Sequence, residues 1–131
     1  MKRKIERKKT IQSGPGVAHE IAFNDRTINY LYVKAGPRID YTFKNIKVPY
    51  LTGLKLRYSP LTQKKRYYSK YRHKGKTKWL KLGEHLEGKY GILEVSQELL
   101  NLYSKYYDRT KGHWLHDPAE QLITERDLKK S

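Results

Sequence analysis

Between Tyr41 and Gly83 the chain carries no Asp or Glu, while Lys or Arg fills positions 44, 47, 55, 57, 64, 65, 66, 70, 72, 74, 76, 78 and 81. Tyr58, Tyr67, Tyr68, Tyr71 and Trp79 are interleaved with them. Cations set among aromatic rings, with no carboxylate to neutralise them, suit a polyanion. Ammonium and guanidinium groups release counterions from phosphates, Arg can grip guanine through two hydrogen bonds, and Tyr or Trp stacks on bases or meets a thymine methyl. The whole chain has 131 residues and 29 Lys plus Arg against 13 Asp plus Glu, a formal net charge of +16. That is far beyond the imbalance solubility requires. Nine of the 13 acids lie from Glu84 onward, so the charge is segregated and a basic surface is expected rather than an even scatter.

Other chemistries lack their residues. Without Cys, disulfides, thiol catalysis and Cys-ligated zinc are excluded. Of the histidines at 19, 73, 85, 113 and 116, only His113 and His116 are close enough in sequence to share a ligand, with Asp117 the carboxylate beside them; no metal or other cofactor is expected. The twelve Tyr are assigned to core and stacking, because a tyrosine nucleophile needs an activating cluster and a pocket. No Gly-rich phosphate loop, paired-carboxylate motif or Ser-His-Asp order occurs. A non-catalytic binding protein is the expectation.

For the cations and rings to act together they must share a face, and alternation supplies one. Leu54, Leu56 and Tyr58 alternate with Lys55 and Arg57. Over about 64–72, Tyr67, Ser69 and Tyr71 alternate with Arg66, Tyr68, Lys70 and Arg72; over about 77–82, Leu80 and Leu82 alternate with Thr77, Trp79 and Lys81. Ser59–Pro60 and Lys74–Gly75–Lys76 separate the three runs as turns, the pattern of an antiparallel meander with one apolar face. Such a sheet is marginal until that face is covered. From about Ile92 to Asp108, Ile92, Val95, Leu99, Leu102, Tyr103 and Tyr106 recur at spacings of three and four, the stripe of a covering helix.

Ahead of the meander, Asn24 and Asp25 can cap a short helix over about 25–32 that places Ile28, Leu31 and Tyr32 on one side. Gly36–Pro37 ends it, Ile39, Tyr41 and Phe43 alternate as a short leading strand, and 48–53 reads as a loop. The expected fold class is α+β, a three-stranded antiparallel sheet plus the short leading strand, packed on one C-terminal α-helix. Residues 1–22, with six basic residues before the Ser13-Gly14-Pro15-Gly16 break, read as a flexible basic arm. Residues 23–118 read as the folded domain, with GHWLHDP over 112–118 as a loop. Residues 119–131 read as a linker or the start of a following helix, anchored by Leu122, Ile123 and Leu128.

The outward face of the meander then collects Lys55, Arg57, Tyr68, Lys70, Arg72, Trp79 and Lys81, with Arg66 near one edge and Lys74 and Lys76 at the turn. These ten are the candidate contacts to DNA. The competing reading makes the face a solvated surface, or buries Tyr68 and Trp79 under the N-terminal segment as a second small core. Like charges on adjacent strands repel, a standing cost that a polyanion relieves, which favours binding.

GLKLRY (53–58), followed by KKRYYSKYRHKGKTKWLKLG (64–83), a helix and Asp117–Pro118, resembles the N-terminal, arm-type-site-binding domain of phage and genomic-island tyrosine integrases. FNDRTINYL (23–31) is similar to the short element that opens that domain. Tyr67 stands where the family has Trp, the 48–53 loop is longer than its tight turn, and His-Trp-Leu-His-Asp-Pro replaces its Gly-x-Asp-Pro at the helix exit. The resemblance implies a sheet in the major groove of repeated arm-type sites in duplex DNA, in the nucleoid of a bacterial or phage-infected cytoplasm. It also implies contacts with other integrase subunits through parts C-terminal to this chain, and cutting chemistry in a separate tyrosine recombinase domain. An RNA- or single-strand-binding small basic protein is the alternative, since sheet aromatics among cations also suit unpaired bases. A scaffolding module that uses the helix stripe or the tail after Pro118 is the third. No 18-residue apolar run occurs, so no membrane partner is expected.

Overall fold

The computed structural model describes residues 19–130, so the arm expected over 1–22 lies outside the described residues as far as position 18. Five strands form one sheet in the order β1 (Glu20–Ile21), β2 (Ile39–Phe43), β3 (Leu54–Ser59), β4 (Lys64–His73) and β5 (Lys76–Glu84). A separate two-stranded sheet joins β6 (Tyr107–Asp108) to β7 (His113–Trp114). Three helices accompany them, α1 (Asp25–Tyr30), α2 (Ile92–Tyr106) and α3 (Pro118–Lys130), with a 3-10 turn at Pro49–Leu51. The class is α+β, but the sheet is larger than three strands with a leader, and it is mixed. β1 runs parallel to β2, Glu20 opposite Thr42 and Ile21 opposite Phe43, while the other neighbours are antiparallel.

The alternation sorts the meander as expected. Leu54, Leu56, Tyr58, Tyr67, Ser69, Tyr71, Leu80 and Leu82 are all buried, and the register aligns Leu56 with Tyr67 and Leu54 with Ser69 and then Leu80. Ile39, Tyr41 and Phe43 of β2 extend the same apolar layer. The β4–β5 turn has positive φ at both Lys74 (53°) and Gly75 (76°), the mirror-image turn whose twist matches that of the flanking strands. Further along, Tyr67 faces Gly83 but Tyr68 faces Lys81, so β5 carries one extra residue. Gly83 thereby meets Tyr90, whose ring would lie 2.9 Å from an added Cβ. Where β3 begins, a Cβ on Gly53 would lie 2.1 Å from the Lys70 carbonyl oxygen, and only glycine fits.

Four buried tyrosines shape the rest. Tyr58 donates to Gln63 Oε1 and accepts from the Val33 amide at 3.0 Å, and Gln63 Nε2 donates to the Val33 and Pro60 carbonyls at 3.0 and 2.8 Å. The Tyr67 hydroxyl meets His85 Nδ1 at 2.6 Å, and His85 Nε2 meets Asn29 Oδ1 at 2.6 Å. Asn29 Oδ1 can only accept, so Nε2 carries the proton and Nδ1 receives the Tyr67 hydroxyl. The Tyr71 hydroxyl donates to Asp117 at 2.5 Å. Tyr41 is fully buried, with no partner for its hydroxyl among the described residues, and its pKa is pushed up to about 12 chiefly by burial.

The helix ends correct several expectations. Asn24 alone caps α1, accepting from the Thr27 amide at 2.7 Å. Asp25 instead reaches across to the start of α2, accepting from the Ile92 amide at 2.9 Å, while Glu94 accepts from the Gly91 amide at 2.8 Å. Two carboxylates thus satisfy orphan donors at the positive end of α2. α1 stops at Tyr30, so Ile28 and Leu31 are buried while Tyr32 is exposed. α2 gives way at Tyr107 to β6, and β7 runs through the segment expected as a loop.

Of the two readings of the tail after Pro118, linker or start of a helix, the helix is the one present, as α3. Leu122 is 4% exposed, whereas Ile123 and Leu128 are not anchors, at 64% and 66%. Arg126 holds α3 in place through both carboxylate oxygens of Glu98 on α2 and the Leu82 carbonyl of β5 at 2.6 Å. Asp117 caps α3 through the Ala119 amide at 3.0 Å. Leu122→Ala is therefore expected to lower unfolding free energy by about 2–4 kcal/mol in a urea titration. A loss under about 0.5 kcal/mol, the range of ordinary surface changes, would mean that α3 is detached.

Burial lowers the His85 pKa, Lys65 acts in the same direction, and Asp25 and Glu87 oppose them. A histidine lowered by folding contributes stability above its unfolded value, about 6.5, and loses it as pH falls through the lower folded value. Melting temperature should therefore drop in acid below about pH 6.5, and less steeply in His85→Gln, which keeps an acceptor for Tyr67 and a donor for Asn29 without titrating. Equal slopes in the two proteins would refute this role for His85.

Candidate nucleic-acid interface

The face of the sheet opposite the core gathers most of the predicted site. β3 contributes Lys55 and Arg57, β4 contributes Arg66, Tyr68, Lys70 and Arg72, and β5 contributes Trp79 and Lys81. The register sets Lys55, Tyr68 and Lys81 in one row across the strands, Lys70 beside Trp79, and Arg72 beside Thr77. Lys74 occupies the turn, and Lys76 stands opposite His73, so both lie at the hairpin tip and not in the rows.

At the centre of the face, Arg57, Tyr68 and Trp79 form one cluster. The Arg57 Cζ lies 4.3 Å from the Tyr68 ring centroid and 5.3 Å from that of Trp79. The two rings meet edge to face at 6.4 Å and 81°, and Lys70 Nζ lies 6.0 Å from the Trp79 centroid. Both kinds of contact are favourable, and the cation–π attraction is about 0.5–1 kcal/mol at exposed sites.

The face is not free of acid. Asp40, on β2 directly opposite Arg57, accepts from Arg57 Nε at 3.0 Å and from Nη2 at 3.4 Å. This hydrogen bond holds the Arg57 pKa above its usual value. Arg38 approaches the same carboxylate at 3.9 Å. Asp40 lies one residue before the acid-free stretch and between the buried Ile39 and Tyr41; its alternation with them was the signal that places it outward. At the margins, Glu20 on β1 is exposed and Glu84 stands opposite Arg66.

Two basic residues of the stretch belong to the architecture. Lys65 faces inward opposite Tyr58, donating to the carbonyls of Ile28 at 2.6 Å and Asn29 at 3.4 Å. Burial brings its pKa down to about 8. Lys78, opposite Tyr71, pairs with Asp117 at 2.9 Å. Asp117 thus serves Tyr71, Lys78 and the start of α3 at once.

Among the described residues no group of three or more His, Cys, Asp or Glu side chains is placed to hold a metal ion, and no helix is long and apolar enough to cross a membrane. A recess of about 520 Å³ opens at the hairpin end between the 3-10 turn and the β6–β7 hairpin, with Tyr50, Tyr71, Tyr103, Tyr107 and Trp114 in its walls. Tyr103 and Tyr107 stack there at 4.4 Å, and Trp114 sets its edge against both.

No family model matches the chain, and neither a curated protein nor a solved structure matches it at a significant level.

Trp79 is 40% exposed and lies on the side of the sheet away from the buried cluster. Trp79→Ala should therefore reduce unfolding free energy by only about 1 kcal/mol, read from the fluorescence of Trp114 during urea denaturation. A loss above about 3 kcal/mol, the scale of an aromatic deletion from a core, would establish the cluster as a second core.

Proposed function

We propose that this chain binds duplex DNA by seating the outward face of β3, β4 and β5 in the major groove. We further propose that it does so as the arm-type-site-binding module of a tyrosine integrase, with catalysis carried elsewhere in that assembly and the DNA held in the nucleoid. The observation that carries the reading is the concentration of Lys55, Arg66, Lys70, Arg72 and Lys81 around a Tyr68–Trp79 centre on one sheet face. Strands lie about 4.8 Å apart, so three of them span about 10 Å, close to the roughly 12 Å width of the groove, with β2 and β1 continuing the sheet at its margin. The hairpin tip, with Lys74 and Lys76, is then free to reach the flanking phosphates.

The aromatic centre also bears on single strands. A base stacks on an open ring face, but Arg57 lies over Tyr68, and both Arg57 and Lys70 approach Trp79. Rings already engaged by cations are poor platforms for unpaired bases, which favours the duplex.

Salt titration of binding to a random duplex and to its single strand tests the reading. The duplex should bind more tightly. The log–log salt slope should flatten by about two units in a Lys70→Ala/Arg72→Ala variant, each phosphate contact being worth about 0.9. Equal or tighter binding to the single strand, or a variant with an unchanged slope, would refute it.

A further inference from the structure

A surface that only neutralises phosphates gains nothing from a carboxylate bound to one of its central cations, because each acid offsets one cation. Asp40 holds such a position, and it does not merely sit near a cation. It takes the Nε and Nη2 edge of Arg57, at 3.0 and 3.4 Å, while the guanidinium carbon lies 4.3 Å from the Tyr68 ring centroid. One contact fixes the group within its plane and the other fixes the plane. The Arg57 side chain is 22% exposed. A guanidinium has five N–H donors, and this pairing commits two of them, leaving both on Nη1 and one on Nη2.

The Nη1–Nη2 edge so left is a two-pronged donor. Guanine offers the matching pair of acceptors, O6 and N7, on its major-groove edge, and this pairing is the commonest specific contact of Arg with DNA. A phosphate also accepts two N–H groups, but Lys55, Lys70, Arg72 and Lys81 supply charge nearby with no acid bound to them among the hydrogen bonds and ion pairs of the described residues. A half-neutralised, immobilised Arg among charged neighbours is suited to direction, not to charge. We propose that Arg57 reads a guanine in the major groove and that Asp40 is its positioning residue. This inference rests on the duplex-binding reading above.

The test is selection from a random-sequence duplex library with wild type, Asp40→Asn and Arg57→Lys, alongside affinity for one random duplex and melting temperature. Wild type should enrich sites with a fixed guanine, preferred over the other bases about tenfold, the scale of one bidentate pair. Replacing that guanine with 7-deazaguanine, which lacks the N7 acceptor, should weaken wild type about tenfold and leave Arg57→Lys unaffected. Asp40→Asn should lose most of the preference yet bind the random duplex at least as tightly as wild type, since it removes a negative charge from a basic face. A structural role for Asp40 would instead lower melting temperature and weaken all sequences together, and that result overturns the positioning role. Duplex binding with no guanine that depends on Arg57 overturns the inference and leaves the DNA-binding reading standing; no duplex binding by wild type overturns both.

Discussion

A buried tyrosine brings a hydroxyl into the core with it, and a hydroxyl left unpaired inside a protein costs roughly 1–3 kcal/mol. Four such residues, Tyr41, Tyr58, Tyr67 and Tyr71, line the covered side of this sheet, and three of their hydroxyls find partners outside the strands that hold them. Tyr58 draws in the chain after α1 through Val33 and Gln63. Tyr67 fixes His85, and through it Asn29 of α1. Tyr71 engages Asp117 at the threshold of α3. The loops and short helices are therefore placed by polar satisfaction as much as by apolar contact.

This arrangement frees the opposite side. Strand alternation sends every second residue of β3, β4 and β5 away from the tyrosine layer, and the acids that stabilise the fold, Asp25, Glu94, Glu98 and Asp117, are spent on helix starts and helix packing. Where a cation falls on the inner side, as Lys65 and Lys78 do, the architecture neutralises it with helix-end carbonyls or a carboxylate. The cations of the outer side have few such partners, and the two acids bordering that side, Glu20 and Glu84, stand at the outer strands. Segregation of charge thus follows from the same period of two that segregates apolar from polar residues.

The meander and its facing helix were readable because each is long enough to show its period: three runs of alternating residues and one stripe spaced by three and four. The rest had no period to show. β1, β6 and β7 are two residues each and exist because of what lies beside them. α3 buries little besides Leu122 and is held by Arg126 and Asp117, whose partners are distant in sequence, so the sequence leaves linker and helix both open there. Asn24 and Asp25 are both good caps, and their division between α1 and α2 depends on a distance that sequence does not carry. Of the ten candidate contacts, eight lie on the rows across the face. Asp40 is absent from those ten because it lies one residue before the acid-free run, on the leading strand and not in the meander.

One further consequence lies in the bond from Arg126 to the Leu82 carbonyl. β5 is the last strand on its side of the sheet, and an uncovered last strand is a template on which another copy of the chain could extend the sheet. Here α3 rests against β5, its arginine occupies a carbonyl at the extra residue of that strand, and Lys76 adds charge toward the hairpin end. On the far side the last strand among the described residues, β1, is two residues long. The edge that β5 would otherwise offer to a second copy is thereby blunted by an arginine and a helix.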